Sequence, residues 1–221
     1  KYPDMEIIPY IIPGRTGAQM LPPDLALLAQ SCPNVRSVKE ATGNLENMKL
    51  TRKYCGPDFQ IFSGDDALVF DIMTDRDIRA CGAISVMSNI VPGFMTRLVS
   101  AVNQGDLDDA RRLQDMLKPL LDLVVVTTTE ETPFGPVVCR ARNPLPLKTM
   151  MRLLGMPSGP CRQPLGKMTR QGLDRIVTTL QQLHSDHPEL FAPISDIFGI
   201  DILDRLHNPA HLEGLWYDYE K

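Results

Sequence analysis

Val35-Arg36-Ser37-Val38-Lys39-Glu40-Ala41-Thr42-Gly43-Asn44 is the stretch on which the reading of this sequence turns. Val35 to Lys39 is a short apolar run of the length of a buried strand, and Gly43-Asn44 reads as a turn out of it. Leu45 to Tyr54 then carries the spaced apolar residues of a helix, and Gln60 to Ser63 is a second strand-like run. Working outward, Ile7 to Ile12 and Gly82 to Met87 read as two more strands, and Asp24 to Gln30 and Ala67 to Ala80 as two more helices. Strand and helix in alternation form β/α units and predict parallel strands.

Beyond the fourth strand the pattern changes. Pro92 is placed to start a helix, where a missing N–H costs least, and Asn103-Gln104-Gly105 to end it. Asp106 is expected to cap a long helix reaching about Val126, with later helices around Leu145 to Leu154, Thr169 to Leu183 and Ile194 to Leu206. Pro-rich breaks near Pro133 to Pro136 and Gly155 to Pro164 separate them. The expected organisation is therefore β/α units over 1–105 and a helical region with an extended tail over 106–221. Four β/α units are half of an eight-stranded barrel, and a half leaves open sheet edges and an uncovered inner face. A small open four-stranded sheet fits the same pattern. The start at Lys1-Tyr2-Pro3, without Met and almost at once in a strand, carries the expectation of a missing beginning.

With 221 residues, 43% of them hydrophobic, there is material for one sizeable core, at the usual domain size of about 100–200 residues. A net charge of −4 and a pI near 5.6 give neither the basic footprint of a nucleic-acid binder nor a polybasic membrane anchor. No run reaches the roughly 18 apolar residues that span a bilayer. The cysteines at 32, 55, 81, 139 and 161 form no CxxC pair and have no histidine beside them, so no zinc pattern is present. An odd set of thiols is expected of a reducing cytoplasm. No nucleotide loop or dinucleotide fingerprint occurs either, and no cofactor is expected.

Lys39 ends its strand at the carboxyl side, where active-site groups of parallel β/α folds gather. Shielded from water, its amine would lose affinity for a proton and become a nucleophile able to form an imine with a ketone. The plainer reading is a lysine that reaches solvent, and spacing alone favours it, because most lysines are exposed. Glu40 should point to the opposite face of the strand and is read as structural. Tyr10-Ile11-Ile12-Pro13-Gly14-Arg15-Thr16-Gly17 ends another strand with a phenol suited to proton transfer and a guanidinium suited to a carboxylate. Arg15 in a simple turn paired to a nearby acid is the alternative. Ser63-Gly64-Asp65-Asp66 and Gly82 to Asn89 close the other strands with glycines that admit a small ligand, and one of the two aspartates is expected to cap the next helix. His207 and His211 are spaced for one helix face, but Pro209 between them breaks it. The four histidines, at 184, 187, 207 and 211, are expected to lie at the surface or to pack, and Trp216, Tyr217 and Tyr219 to pack or to meet another subunit.

In order and spacing, Tyr10 to Gly17, Asn34 to Gly43, Phe62-Ser63-Gly64-Asp65-Asp66 and Gly82 to Asn89 resemble the dihydrodipicolinate synthase family, over roughly residues 5 to 180. The resemblance implies a (β/α)8 TIM barrel, of which this chain covers about the last four units, plus a C-terminal helical extension. It implies a homotetramer or other homo-oligomer that condenses pyruvate with aspartate semialdehyde on the route to diaminopimelate and lysine. By motif, Lys39 is similar to the Schiff-base lysine, Tyr10 to the proton-shuttling tyrosine and Arg15 to the binder of the aldehyde's carboxylate; Gly64 and Ile84 are similar to pyruvate-pocket positions. Related sugar-acid aldolases, such as sialic acid lyases and ketodeoxy sugar acid aldolases, share the lysine, while Arg15 favours the synthase. A non-catalytic half-barrel binding protein is a further reading, against which the joint presence of Lys39, Tyr10 and Arg15 counts. The resemblance also implies a threonine-rich pyruvate motif, a second relay tyrosine and a lysine feedback site that fall before this sequence. It offers no role for His187 to Lys221.

Overall fold

The computed structural model describes residues 4–217; Lys1-Tyr2-Pro3 and Tyr219 lie outside them. The chain divides into two compact units. One comprises the chain to Ser85 together with Met95–Gln114, and the other Val86–Phe94 together with the chain from Asp115 onward.

The first unit is built on four parallel strands, β1 (Tyr10–Ile11), β2 (Ser37–Glu40), β3 (Gln60–Ser63) and β4 (Gly82–Ala83), lying side by side in chain order. Helices α1 (Pro13–Thr16) and α2 (Pro22–Ser31) follow β1, α3 (Leu45–Cys55) follows β2, and α4 (Val69–Thr74) follows β3. Strand order that never reverses has no switch point, and right-handed crossovers then lay the helices on one face. That is the winding of a (β/α)8 barrel, of which these four units are a part. The described sheet is four-stranded, as the alternative reading had it, but its winding is that of part of a barrel.

The sequence sets these elements by local means. β1 is shorter than the apolar run Ile7 to Ile12 because Pro9 has no N–H to give a neighbour and Pro13 opens α1. The Asn44 side chain caps α3 by accepting from Asn47 N at 3.2 Å. Met48, Thr51 and Arg52 on α3 are buried at helical spacing. Val38 and Ile61, partners in register on β2 and β3, are both fully buried, worth about 1.5–3 kcal/mol each.

The helix expected over Ala67 to Ala80 is shorter. A single 3-10 turn, Asp66–Leu68, precedes α4, which stops at Thr74. There the Asp75 carboxylate accepts from Asp77 N at 2.7 Å and Ile78 N at 3.1 Å, forming a turn that competes with the helix. Arg79 then adopts a left-handed backbone, φ 50°.

Helices α5 (Pro92–Gln104) and α6 (Leu107–Leu121) follow, and the division between the units falls within them. The helix expected to reach Val126 ends sooner, and the region expected to be helical contains a pair of strands. In the second unit β5 (Val125–Thr132) and β6 (Gly135–Arg142) form an antiparallel hairpin. The β-branched run Val124-Val125-Val126-Thr127-Thr128-Thr129 favours a strand, and Pro133-Phe134, expected as a break, is its two-residue turn. Helices α7 (Leu145–Leu153) and α8 (Arg170–Asp186) stand close to expectation. The last expected helix is two, α9 (Ala192–Phe198) and α10 (Ile202–His207), parted by Gly199 at φ 62°. Among the described residues no helix is long and apolar enough to cross a membrane.

Candidate active site

Side chains of parallel strands in register share a face, and Tyr10, Lys39, Phe62 and Gly82 stand in one row across the four strands. Alternation sends Ile11, Val38, Glu40 and Ile61 to the opposite, buried face. Glu40 is 2% exposed, and its carboxylate accepts from Thr42 N at 2.7 Å. Burial raises its proton affinity, against hydrogen bonds from Thr42 and Ala41. The expected structural role of Glu40 fits this placement.

On the Tyr10 face the Lys39 amine lies 4.1 Å from the centroid of the Tyr10 ring, over its face. Such a contact at a half-exposed position contributes roughly 0.5–1 kcal/mol. Desolvation lowers the affinity of the Lys39 amine for its proton, and the charge of Asp66 pulls the other way. The Tyr10 phenol is pushed up by desolvation, with Arg15 lowering it and Asp65 and Asp66 raising it. An amine eased toward its neutral form beside a phenol is equipped for imine chemistry and proton transfer.

Arg15 is presented by α1, a single turn begun by Pro13 and ended by Gly17 at φ 68°, where the Thr16 hydroxyl donates to Ala18 O at 2.8 Å. Its charge is felt at Tyr10. Gly64 follows β3, and its N–H donates to Glu40 O at 2.7 Å. A Cβ there would lie 2.8 Å from Ala41 Cβ and 3.0 Å from Lys39 Cε, so the chain passes directly against the lysine shaft. Ile84 follows β4, its N–H donating to Ser63 O at 2.8 Å, with its side chain partly exposed. Thus Lys39, Tyr10 and Gly64 are in contact range, Arg15 joins them through its charge on Tyr10, and Ile84 stands at the end of the strand two places from Lys39.

Asp65 takes the capping role, accepting from Ala67 N at 3.1 Å. Asp66 is buried instead, a placement that the sequence pattern does not single out. The available signal was that one cap needs only one aspartate.

The histidines serve local packing in the second unit. His211 Nδ1 lies 2.7 Å from Arg205 Nη1 and its Nε2 lies 2.8 Å from Asp204 Oδ2. His184 stacks near Phe191 at 6.0 Å, and Arg170 lies over the Trp216 ring at 4.7 Å. Among the described residues no group of three or more His, Cys, Asp or Glu is arranged to hold a metal ion.

A singly wound parallel β/α sheet carrying a desolvated lysine at its carboxyl edge is the class of object found in part of a (β/α)8 barrel. The chain belongs to the dihydrodipicolinate synthetase family, whose family model matches residues 1–183. It is 37% identical over 172 residues to the 4-hydroxy-tetrahydrodipicolinate synthase of Nitratidesulfovibrio vulgaris (strain DP4), covering 78% of this chain and 53% of that protein. It is 33% identical over 181 residues to that of Prochlorococcus marinus (strain NATL2A), covering 82% and 54%. Among solved structures, the 4-hydroxy-tetrahydrodipicolinate synthase of Methylacidiphilum fumariolicum SolV superposes with a TM-score of 0.70 at 27% identity, covering 87% of this chain and 57% of the other. The dihydrodipicolinate synthase of Cyanidioschyzon merolae with lysine bound superposes with a TM-score of 0.69 at 32% identity, covering 82% and 55%. The chain spans about half the length of the curated relatives it matches. The helices α9 and α10 lie beyond the matched residues.

Proposed function

We propose that this chain is part of a Schiff-base lyase that condenses pyruvate with aspartate semialdehyde to give 4-hydroxy-tetrahydrodipicolinate, on the route to diaminopimelate and lysine. The observation that carries the reading is the Lys39 amine held over the Tyr10 ring at the carboxyl end of a parallel sheet. The names of the relatives support the same reaction.

In this reading the neutral Lys39 amine adds to the pyruvate carbonyl carbon, and the resulting carbinolamine loses water to leave an iminium. Loss of a methyl proton converts the iminium to an enamine, which attacks the aldehyde carbon. The aldehyde oxygen takes up a proton, and the amine of the aldehyde substrate then displaces Lys39 from the re-formed iminium carbon, closing the ring and freeing the lysine. Tyr10 moves protons to and from these species, Arg15 holds the carboxylate of the aldehyde substrate with paired hydrogen bonds, and Gly64 and Ile84 border the pyruvate. The protein would act in the cytoplasm as a homo-oligomer, tetrameric or dimeric, and its unpaired cysteines suit a reducing compartment.

The test is borohydride reduction of the chain with pyruvate, followed by intact mass and peptide mapping, beside a Lys39→Ala control. A pyruvyl adduct on Lys39 that the control lacks is the expected result. A folded chain that yields no adduct contradicts imine formation by this polypeptide.

A further inference from the structure

The second unit holds a small cavity whose walls carry three cations and no acid. It measures ≈ 60 Å³ and is lined by Lys148 and Arg152 of α7, by Gly159 and Lys167 of the connection to α8, and by Gly214 of the chain that returns after α10. Hydrogen bonds hold these three segments together. The Lys148 ammonium donates to Pro160 O at 3.0 Å and the Ser158 hydroxyl to Lys148 O at 3.2 Å, which fixes the connection against α7. Met168 N donates to Leu215 O at 3.2 Å and Tyr217 N to Met168 O at 3.0 Å, which fixes the returning chain beside Lys167.

Like charges drawn to one cavity repel each other. Elsewhere in the chain cations are answered by acids, Lys49 by Glu46, Arg112 by Asp109, Lys118 by Asp122 and Arg170 by Asp174. Here they are not. Among the described residues no carboxylate lines the cavity or is ion-paired with Lys148, Arg152 or Lys167, in a chain whose net charge is −4.

Size and donors define what would fit. One water takes about 10–15 Å³ of such space, so the cavity admits about four to six heavy atoms, the size of a tetrahedral oxyanion. The Arg152 guanidinium can meet two oxygens of such a group with parallel N–H donors. Lys167 adds a point charge, and Lys148 keeps two N–H donors beyond the one spent on Pro160. Gly159 and Gly214 let an oxygen approach the backbone closely. Arg152 and Lys167 are exposed, so the mouth of the cavity opens to solvent.

We propose that this cavity binds a small oxyanion, phosphate or the phosphoryl group of a small molecule, through Lys148, Arg152 and Lys167. All three belong to the second unit, whereas Lys39 belongs to the first, and the site does not depend on the lyase reading. The bound anion relieves the repulsion and joins α7, the connection and the returning chain, so it stabilises the fold by mass action.

The test is thermal unfolding of the full chain in potassium phosphate, against potassium chloride at matched pH and ionic strength. Phosphate should raise Tm along a saturating curve that chloride does not reproduce. Arg152→Gln and Lys167→Gln should each weaken the apparent affinity about tenfold, the loss of one charge-assisted hydrogen bond. Arg175→Gln removes an exposed cation of α8 outside the cavity wall and should keep the parent curve. No rise in Tm, a rise that chloride matches, or a rise undiminished in both Arg152→Gln and Lys167→Gln overturns the proposal. Glycerol phosphate separates the two sources of the anion. Saturation at a lower concentration than inorganic phosphate assigns the site to a phosphorylated small molecule, and saturation at the same or a higher concentration assigns it to the free ion.

Discussion

Gly64 and Lys39 are so closely packed that a Cβ on the glycine would come within 3.0 Å of the lysine Cε and within 3.1 Å of Glu40 O. The lysine tip can swing aside, but the Glu40 carbonyl and Ala41 Cβ cannot. Gly64→Ala should therefore cost stability by overpacking, about 1–3 kcal/mol, and displace Lys39 from the Tyr10 ring. Urea unfolding checks the first effect, and the yield of reduced pyruvyl adduct, expected to fall several-fold, checks the second.

Tyr10 offers Lys39 two separable things, a ring face and a hydroxyl. The 4.1 Å contact is with the ring, so Tyr10→Phe should leave pyruvate trapping on Lys39 within about twofold, given the small worth of the contact that it keeps. Tyr10→Ala should reduce it further. If the phenol relays protons, Tyr10→Phe should instead slow the later condensation with the aldehyde, followed in the enzyme assay of the complete protein. Equal loss of trapping in both variants would place the hydroxyl in imine formation itself.

Much of this arrangement is legible in the residues. Short apolar runs between helical patterns dictate β/α units, and the place of Lys39 at the end of such a run is enough to mark it as a candidate. Its proximity to Gly64 and to Tyr10 is not legible in this way, because that depends on register: Tyr10 opposite Lys39, and Lys39 opposite Phe62, two residues before Gly64. The burial of Asp66 depends on which of two adjacent aspartates turns outward to cap, a choice that identical side chains do not advertise. The hairpin was hidden for another reason. Its strands contact each other across a turn whose proline reads locally as a break, and Val124 to Thr129 continues directly from a helical pattern.

Arg52 is a buried cation with a structural task. It is 7% exposed, and its guanidinium donates to five backbone carbonyls, those of Gly56, Pro57, Phe59, Ile78 and Arg79, at 2.6–3.0 Å. This fork ties the end of α3 to the chain before β3 and to the chain before β4. Lysine cannot reproduce a planar five-donor geometry. Arg52→Lys and Arg52→Met should each lower stability by about 3–5 kcal/mol, because buried carbonyls lose charged donors, as chemical denaturation would show.

Glu40 links stability to pH. Its folded-state proton affinity is raised by burial, so the folded protein holds this proton more tightly than the unfolded chain does. The corresponding stability is fully present below the unfolded carboxyl value and is lost as pH rises through the higher folded value. Glu40→Gln removes that dependence while keeping an acceptor for Thr42 N. The parent should lose stability relative to Glu40→Gln as pH rises from the ordinary glutamate range toward neutrality. Parallel curves of unfolding free energy against pH for the two proteins would contradict this.

The hairpin contains its own contrast. Val126 on β5 is 2% exposed and lies at its base, whereas Phe134 at the turn is 99% exposed. Thr128 on the same strand face as Val126 lies 3.3 Å from Thr169 Oγ1 at the head of α8, and a Cβ on Gly172 would meet Val126 Cγ1 at 3.6 Å. The base is thus bound into the core of its unit, and the tip adds nothing to it. Val126→Ala should cost about 1–3 kcal/mol by removing buried methyl groups, whereas Phe134→Ser should stay within about 0.5 kcal/mol of the parent. Urea unfolding of both variants distinguishes them, and a stability loss in Phe134→Ser comparable to that in Val126→Ala would mean that the tip is buried in the protein in solution.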